Sequence, residues 1–175
     1  RAGAGRWRRH RVLGAGGGGR GRGDVTMANG VGSGNVEIDG DGWFQTGSGA
    51  QYAALIPARV CDTRSGNPSN GCVHSTIRGG HWLTLKVASF YGVPASPVAI
   101  VANITAVSAT TGTYVTVYPG PSSATPPGAS DLNVVRGRVA TNLVVVKVDP
   151  TTGTINLFNA AGNVDLIVNI FGAYG

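Results

Sequence analysis

From residue 36 onward the chain consists of short runs rich in Val, Ile and Thr, separated by Gly- and Pro-containing turns roughly every ten residues. Nowhere among them do apolar residues recur at the 3.6-residue period of a helix. Evenly spaced short strands are typical of sandwiches and barrels. We therefore predict an all-β fold, an antiparallel β-sandwich of jelly-roll or Greek-key type, with strands within 36–38, 53–56, 82–88, 99–107, 114–118, 131–134, 142–148, 154–158 and 165–171.

Alternation within these runs predicts which side chains are buried. In the run 99–107, Ile100, Ala102, Ile104 and Ala106 share one face, because successive strand residues point to opposite sides of a sheet. Residues 143–148 are instead apolar on both faces except at Lys147. A strand that is apolar on both faces is typical of the middle of a sandwich, and we expect this one to be central.

The positive charge is concentrated at the N-terminus. Residues 1–23 hold seven arginines and no acid, whereas residues 24–175 hold seven Lys and Arg against eight Asp and Glu. The formal net charge of +6 therefore belongs to a tail joined to a nearly neutral body. A nearly neutral body has no excess of positive charge to attract a nucleic acid. Nucleic-acid binding is therefore not expected of the body and would depend on the tail alone.

The N-terminal segment differs in amino-acid composition from the rest of the chain. Residues 1–34 contain twelve glycines, and we predict a disordered or extended tail, because such a segment buries too little apolar area to offset its backbone entropy. Residues 34–44 (GNVEIDGDGWF) echo residues 162–174 (GNVDLIVNIFGAY). We interpret 35–52 as the last strand of a preceding repeat plus a linker, and 53–175 as one complete module. Chance similarity between two Gly-rich strand ends is the alternative.

No apolar run is long enough for a membrane-spanning helix, so we expect no membrane insertion.

Two cysteines flank a turn-rich loop. Cys61 and Cys72 lie eleven positions apart, and in a protein outside the cytoplasm this arrangement predicts a disulfide. A zinc site that adds His74 and His81 is the alternative, but its spacing fits no standard ligand pattern, and we expect no metal.

Two further groups of polar residues are predicted to have structural roles. Asp62 and Arg64 point to the same side of an extended segment, where we expect them to hold a corner by hydrogen bonds; a site for a polar ligand is the alternative. Asparagine is uncommon in strands because its amide competes for backbone bonds. We expect four asparagines in or beside the aliphatic runs to satisfy backbone groups at sheet corners: Asn103, Asn133, Asn142 and Asn169.

Catalytic motifs are missing from the sequence. It has no nucleophile elbow, no zinc-protease helix motif and no phosphate-binding loop, and Asp131, Asp149 and Asp165 each lie beside a turn or a strand end. We therefore expect neither enzymatic activity nor a cofactor. Aromatic residues beside loops are the candidates for binding a glycan, with packing in the core as their alternative role: Trp82, Tyr91, Tyr114 and Tyr118.

Several of these segments occur in an order that resembles a known repeat module: PARVCDTRSG (57–66), Cys72, YGVP (91–94), VANITAV (101–107), SDLNVVRG (130–137), TNLVVVKV (141–148) and INLFNAAGNVD (155–165). The module occurs in secreted and cell-surface proteins of actinobacteria and related bacteria, often in tandem or appended to peptidoglycan amidases and other exported hydrolases. The similarity covers residues 53–175, although the ending at 170–175 is looser than usual.

The resemblance implies an extracellular or cell-surface location and a non-catalytic role in surface display or in adhesion to cell-wall polysaccharide. An alternative is a self-assembling subunit of an extracellular fibre or surface layer, whose partners would be neighbouring copies that exchange the strand at residues 36–44. A domain appended to a peptidoglycan hydrolase is a further alternative.

Overall fold

The fold was analysed in a computed structural model that describes residues 47, 49–67, 71–121 and 123–175. The tail at 1–34 and the strand expected at 36–38 lie outside the described residues, as does most of the segment 35–52. Nine strands and no helix occur in the described part: β1 (Tyr52–Asp62), β2 (Ile77–Arg78), β3 (His81–Lys86), β4 (Ala99–Val107), β5 (Thr113–Pro119), β6 (Leu132–Val134), β7 (Ala140–Lys147), β8 (Thr154–Asn159) and β9 (Asn163–Tyr174). The prediction of an all-β fold is confirmed, and β2 is the strand that the sequence pattern missed.

The strands form two antiparallel sheets. The first sheet has the order β1-β9-β4-β7, and β2 also pairs with β9. The second sheet has the order β3-β8-β5-β6. Consecutive strands often lie in different sheets, so the chain repeatedly crosses from one layer to the other. Among the described residues, no helix has both the length and the apolar character needed to span a membrane.

The core lies between the two sheets and draws on both. Ile100 and Ile104 of the first sheet are fully buried together with Val115 and Leu157 of the second. Ala102 and Ala106 are also buried, so the face predicted for the run 99–107 is confirmed. Burial of alternate aliphatic side chains from two facing sheets is the arrangement of a β-sandwich.

The position expected for the run 143–148 is wrong. β7 is the last strand of the first sheet, not a central one. Its even-numbered residues Val144 and Val146 are buried, but Leu143 is 60% exposed and Val145 also faces outward. The run is apolar on both sides because the outer face carries aliphatic side chains there, and not because both faces are covered.

Candidate functional site

Aromatic side chains gather on the outer face of the second sheet. Leu85 of β3 points into the core, so Trp82 points away from it, and Trp82 lies directly opposite Phe158 of β8. Tyr114 of β5 faces the same side, with its ring centroid 6.3 Å from that of Phe158 and the two planes tilted by 55°. Trp82 is 40% exposed and Tyr114 is 38% exposed. We call Trp82, Phe158 and Tyr114 the aromatic surface.

The part of this face around Tyr118 and Asn156 is covered by the connection between β5 and β6. The Tyr118 hydroxyl donates to the carbonyl oxygen of Ala124 over 3.2 Å, and the Asn156 amide donates to that of Pro121 over 2.8 Å. Tyr118 is consequently only 4% exposed, and this burial raises the pKa of its hydroxyl. Tyr118 therefore has no free ring face to offer a ligand, although it lies on the same face of the same strand as Tyr114.

Tyr91 lies apart from the aromatic surface, in the connection between β3 and β4. Its ring is exposed and tilted against Phe90, at a centroid distance of 6.3 Å. A Cβ added at Gly71 would lie 3.6 Å from the Tyr91 hydroxyl oxygen, so the ring borders the loop that ends at Cys72. Of the four aromatic candidates, the structure thus brings Trp82 and Tyr114 to one exposed surface, covers Tyr118 on the same face, and places Tyr91 in a separate connection.

Phe158 is the member of the aromatic surface that the sequence analysis missed. The signal was present in the run 154–158, because Ile155 and Leu157 alternate with Asn156 and Phe158. Ile155 and Leu157 are fully buried, so the alternation places Phe158 on the outer face, where it is half-buried between its neighbours.

Cys61 and Cys72 form the predicted disulfide, with a sulfur–sulfur distance of 2.08 Å. Both sulfurs are therefore unavailable as thiolate ligands, which removes the zinc alternative with His74 and His81. The His74 Nδ1 atom instead lies 2.9 Å from the carbonyl oxygen of Arg64. Nowhere in the described part of the chain do three or more His, Cys, Asp or Glu side chains come together in a way that could hold a metal ion.

A buried carboxylate occupies the end of β1 next to this disulfide. Arg64 donates to Asp62 from its Nε over 2.9 Å, from its Nη2 over 2.7 Å and from its backbone N–H over 3.2 Å. Arg59 adds a fourth contact of 3.2 Å. The hydrogen bond from the Arg64 side chain lowers the pKa of Asp62, and the same contact raises the pKa of Arg64. These contacts tie both arginines to one buried acid.

The other described carboxylates also accept hydrogen bonds. The Asp149 carboxylate caps its own turn, and the bond from the Thr152 backbone N–H lowers its pKa. The contacts are 2.6 Å to the Val117 N–H for Asp131, 2.7 Å to the Thr152 N–H for Asp149, and 2.9 Å to the Thr76 hydroxyl for Asp165. Each acid therefore has a partner that holds its carboxylate in the fold.

The four predicted asparagines have different positions. Asn142 donates to the backbone carbonyl of Asp131 over 2.8 Å, which joins β7 to the segment before β6. Asn103 and Asn169 lie opposite each other on the outer face of the first sheet, near a register shift between β4 and β9. Asn133 is exposed opposite Tyr114.

Two asparagines that the sequence analysis overlooked are more deeply buried than these four. Asn159 donates to the carbonyl oxygens of Ile77 and Gly162, over 2.9 Å and 3.1 Å, and accepts from the Thr113 hydroxyl over 2.7 Å. Asn156 accepts from the Thr84 hydroxyl over 2.8 Å in addition to holding the β5–β6 connection. Nothing in the local sequence separates these asparagines from the exposed ones, since all their hydrogen-bond partners except Gly162 lie at least 35 residues away along the chain.

A shallow groove of about 230 Å³ lies on another part of the sandwich. It runs between β5, residues 127–131 and the outward side chains of Val145 and Lys147. None of the three rings of the aromatic surface lines it.

The chain matches no protein family model, and comparisons with characterised proteins and with solved structures also find no match. The resemblance to a repeat module of exported proteins accordingly stays a prediction, and the function has to be argued from the surfaces of the molecule.

Proposed function

We propose that this chain is a non-catalytic, extracellular or cell-surface module that adheres to polysaccharide. The observation that carries the proposal is the aromatic surface, where Trp82 and Tyr114 stay more than one-third exposed on either side of Phe158. Scattered single apolar residues are normal on a protein surface, whereas a contiguous group of large rings marks a site of interaction. Flat rings offer sugar rings a large apolar contact with little loss of side-chain freedom.

Two further observations support this proposal. The disulfide favours a location outside the cytoplasm, because reducing compartments keep such cysteines as thiols. A non-catalytic role is supported by the carboxylates, because every described Asp accepts a hydrogen bond from the fold. General acid–base or nucleophilic work needs a carboxylate that is free to reach a substrate.

The test is retention of the purified chain on insoluble cell-wall polysaccharide, including peptidoglycan. We expect the native protein to be retained and the Trp82→Ala variant to lose retention several-fold, because Trp82 is the most exposed ring of the aromatic surface. Tyr91→Ala is the matched control, since Tyr91 is an exposed aromatic residue outside that surface, and it should be retained like the native chain. A native protein that is recovered entirely in the unbound fraction would contradict the proposal.

Strand exchange by residues 36–44 stays a prediction from the sequence, because that segment lies outside the described residues. Sedimentation of the full chain and of its Ile38→Asp variant would test it. An assembly that dissociates in the variant would favour the structural role over adhesion.

A further inference from the structure

The three rings of the aromatic surface lie on three consecutive strands of one sheet. Trp82 is on β3, Phe158 on β8 and Tyr114 on β5. Neighbouring strands are about 4.8 Å apart, so the rings extend roughly 10 Å across the sheet. Trp82 and Phe158 are directly opposite each other, and Tyr114 lies two residues along β5 from the partner of Phe158, Thr116, so the rings form an oblique strip.

The strip is nearly free of charge. Of the outward-facing residues on β3, β8, β5 and β6, Lys86 is the charged one, and its ammonium group donates to the backbone carbonyl of Thr152. Lys86 lies four residues along β3 from Trp82, which places its Cα about 13 Å away. The polar side chains nearer the rings are neutral, namely Thr84 on β3 and Asn133 on β6. A carboxylate or phosphate lying on the rings would therefore lose water without gaining a nearby cationic partner from the outward faces of these strands.

The strip is also open rather than enclosed. Its rings are half-buried or exposed on a sheet face, and the β5–β6 connection borders the strip at the covered residues Thr116 and Tyr118. Recognition of the end of a chain requires groups that surround that end on several sides, as in a pocket. A flat strip instead contacts a ligand from one side only, and the ligand can continue beyond it in both directions.

We propose that the aromatic surface binds internal stretches of a neutral, unbranched polysaccharide, with about one sugar on each of the three rings. A pyranose ring whose hydroxyl groups are equatorial has apolar C–H faces, and an unbranched chain of such sugars offers these faces in succession. This inference rests on the proposed function and adds the chemical class of the ligand and the way in which the ligand lies on the protein.

The experiment is calorimetric titration of the full chain with β-1,4-linked oligomers of glucose, xylose and N-acetylglucosamine, each from one to six units. For at least one series we expect the affinity to rise at least tenfold from one unit to three and then to level off. Reduction of the terminal sugar to its alditol in the six-unit oligomer should change the affinity less than twofold. An oligogalacturonate of six units should bind at least tenfold more weakly, at low as well as at high salt.

Two variants connect the binding to the strip. Tyr114→Ala should weaken binding of the three-unit oligomer several-fold, whereas Lys86→Gln should leave it unchanged, because no charge contributes. A plateau at one unit, a tenfold loss on reduction of the chain end, or tighter binding of oligogalacturonate would overturn the inference. Retention on cell-wall polysaccharide without binding of any neutral oligomer overturns the inference but leaves the proposed function standing, whereas no retention at all overturns both.

Discussion

Replacement of Asp62 by Asn should destabilise the fold by about 2 kcal/mol at pH 7. Asp62 is fully buried and receives four hydrogen bonds from two arginines. Removing one partner of a buried ion pair costs about 3–5 kcal/mol when the remaining charge stays buried. Here the side chains of Arg59 and Arg64 are 44% and 36% exposed, so water can solvate both guanidinium groups after the change. The asparagine also keeps one oxygen acceptor, and both effects reduce the loss.

The size of this effect should depend on pH. The hydrogen bond from Arg64 lowers the pKa of Asp62 in the folded state below its value in the unfolded chain, which is about 3.9. A carboxyl group with a lowered pKa stabilises the fold fully above the unfolded value and loses this contribution as the pH falls through the folded value. The difference in unfolding free energy between the native protein and Asp62→Asn should therefore be constant from about pH 5 to 7 and shrink below about pH 4.

Urea unfolding followed by circular dichroism between pH 2.5 and 7 measures this difference. Asp165→Asn is the matched control, because the Asp165 carboxylate accepts hydrogen bonds from the hydroxyls of Thr63 and Thr76 and forms no ion pair within 4 Å with any residue that the structure describes; its charge acts on Arg64 from a greater distance. Its loss at pH 7 should be smaller than that of Asp62→Asn. A difference below about 0.5 kcal/mol for Asp62→Asn at pH 7, or one of equal size at pH 2.5, would refute the reasoning.

Two other changes test the contribution of the disulfide to stability and the anchoring of the β5–β6 connection by Asn156. Replacing Cys61 and Cys72 together by Ser should lower the free energy of unfolding by about 2–3 kcal/mol without altering the far-ultraviolet spectrum, because the disulfide closes a short loop; an unchanged urea midpoint would contradict this. Asn156→Ala should release the β5–β6 connection and cost about 1 kcal/mol, because it removes two part-buried hydrogen bonds whose remaining partners, on Thr84 and Pro121, can still be reached by water. Proteinase K should then cleave between residues 119 and 131 faster than in the native protein, and equal cleavage rates measured by mass spectrometry would contradict the assigned role.

The sequence pattern predicted burial correctly where a side chain's direction depends only on its position within a strand. Alternation in the run 99–107 predicted the buried face of β4 because each side chain's direction follows from its position in the strand. The pattern failed where cover comes from a connecting loop, because the alternation within a strand does not say where the loop after it folds back. Tyr114 and Tyr118 have the same local setting, and the β5–β6 connection covers only the second. β2 was missed because two residues are too few to show any period.

The exposure of the aromatic surface follows from where the β5–β6 connection is anchored. The hydroxyls of Thr116 and Tyr118 hold this connection at Ala129 and Ala124, over 2.6 Å and 3.2 Å. Thr116 lies directly opposite Phe158 and Tyr118 directly opposite Asn156, so the connection covers β5 up to the row of Phe158, while Tyr114, two residues before Thr116, stays exposed. Three neutral anchors, with Asn156 as the third, thus decide which aromatic side chains become core and which stay at the surface. The hydrogen bonds that hold the connection over Thr116 and Tyr118 therefore set the boundary between the covered part of this face and the aromatic surface next to it.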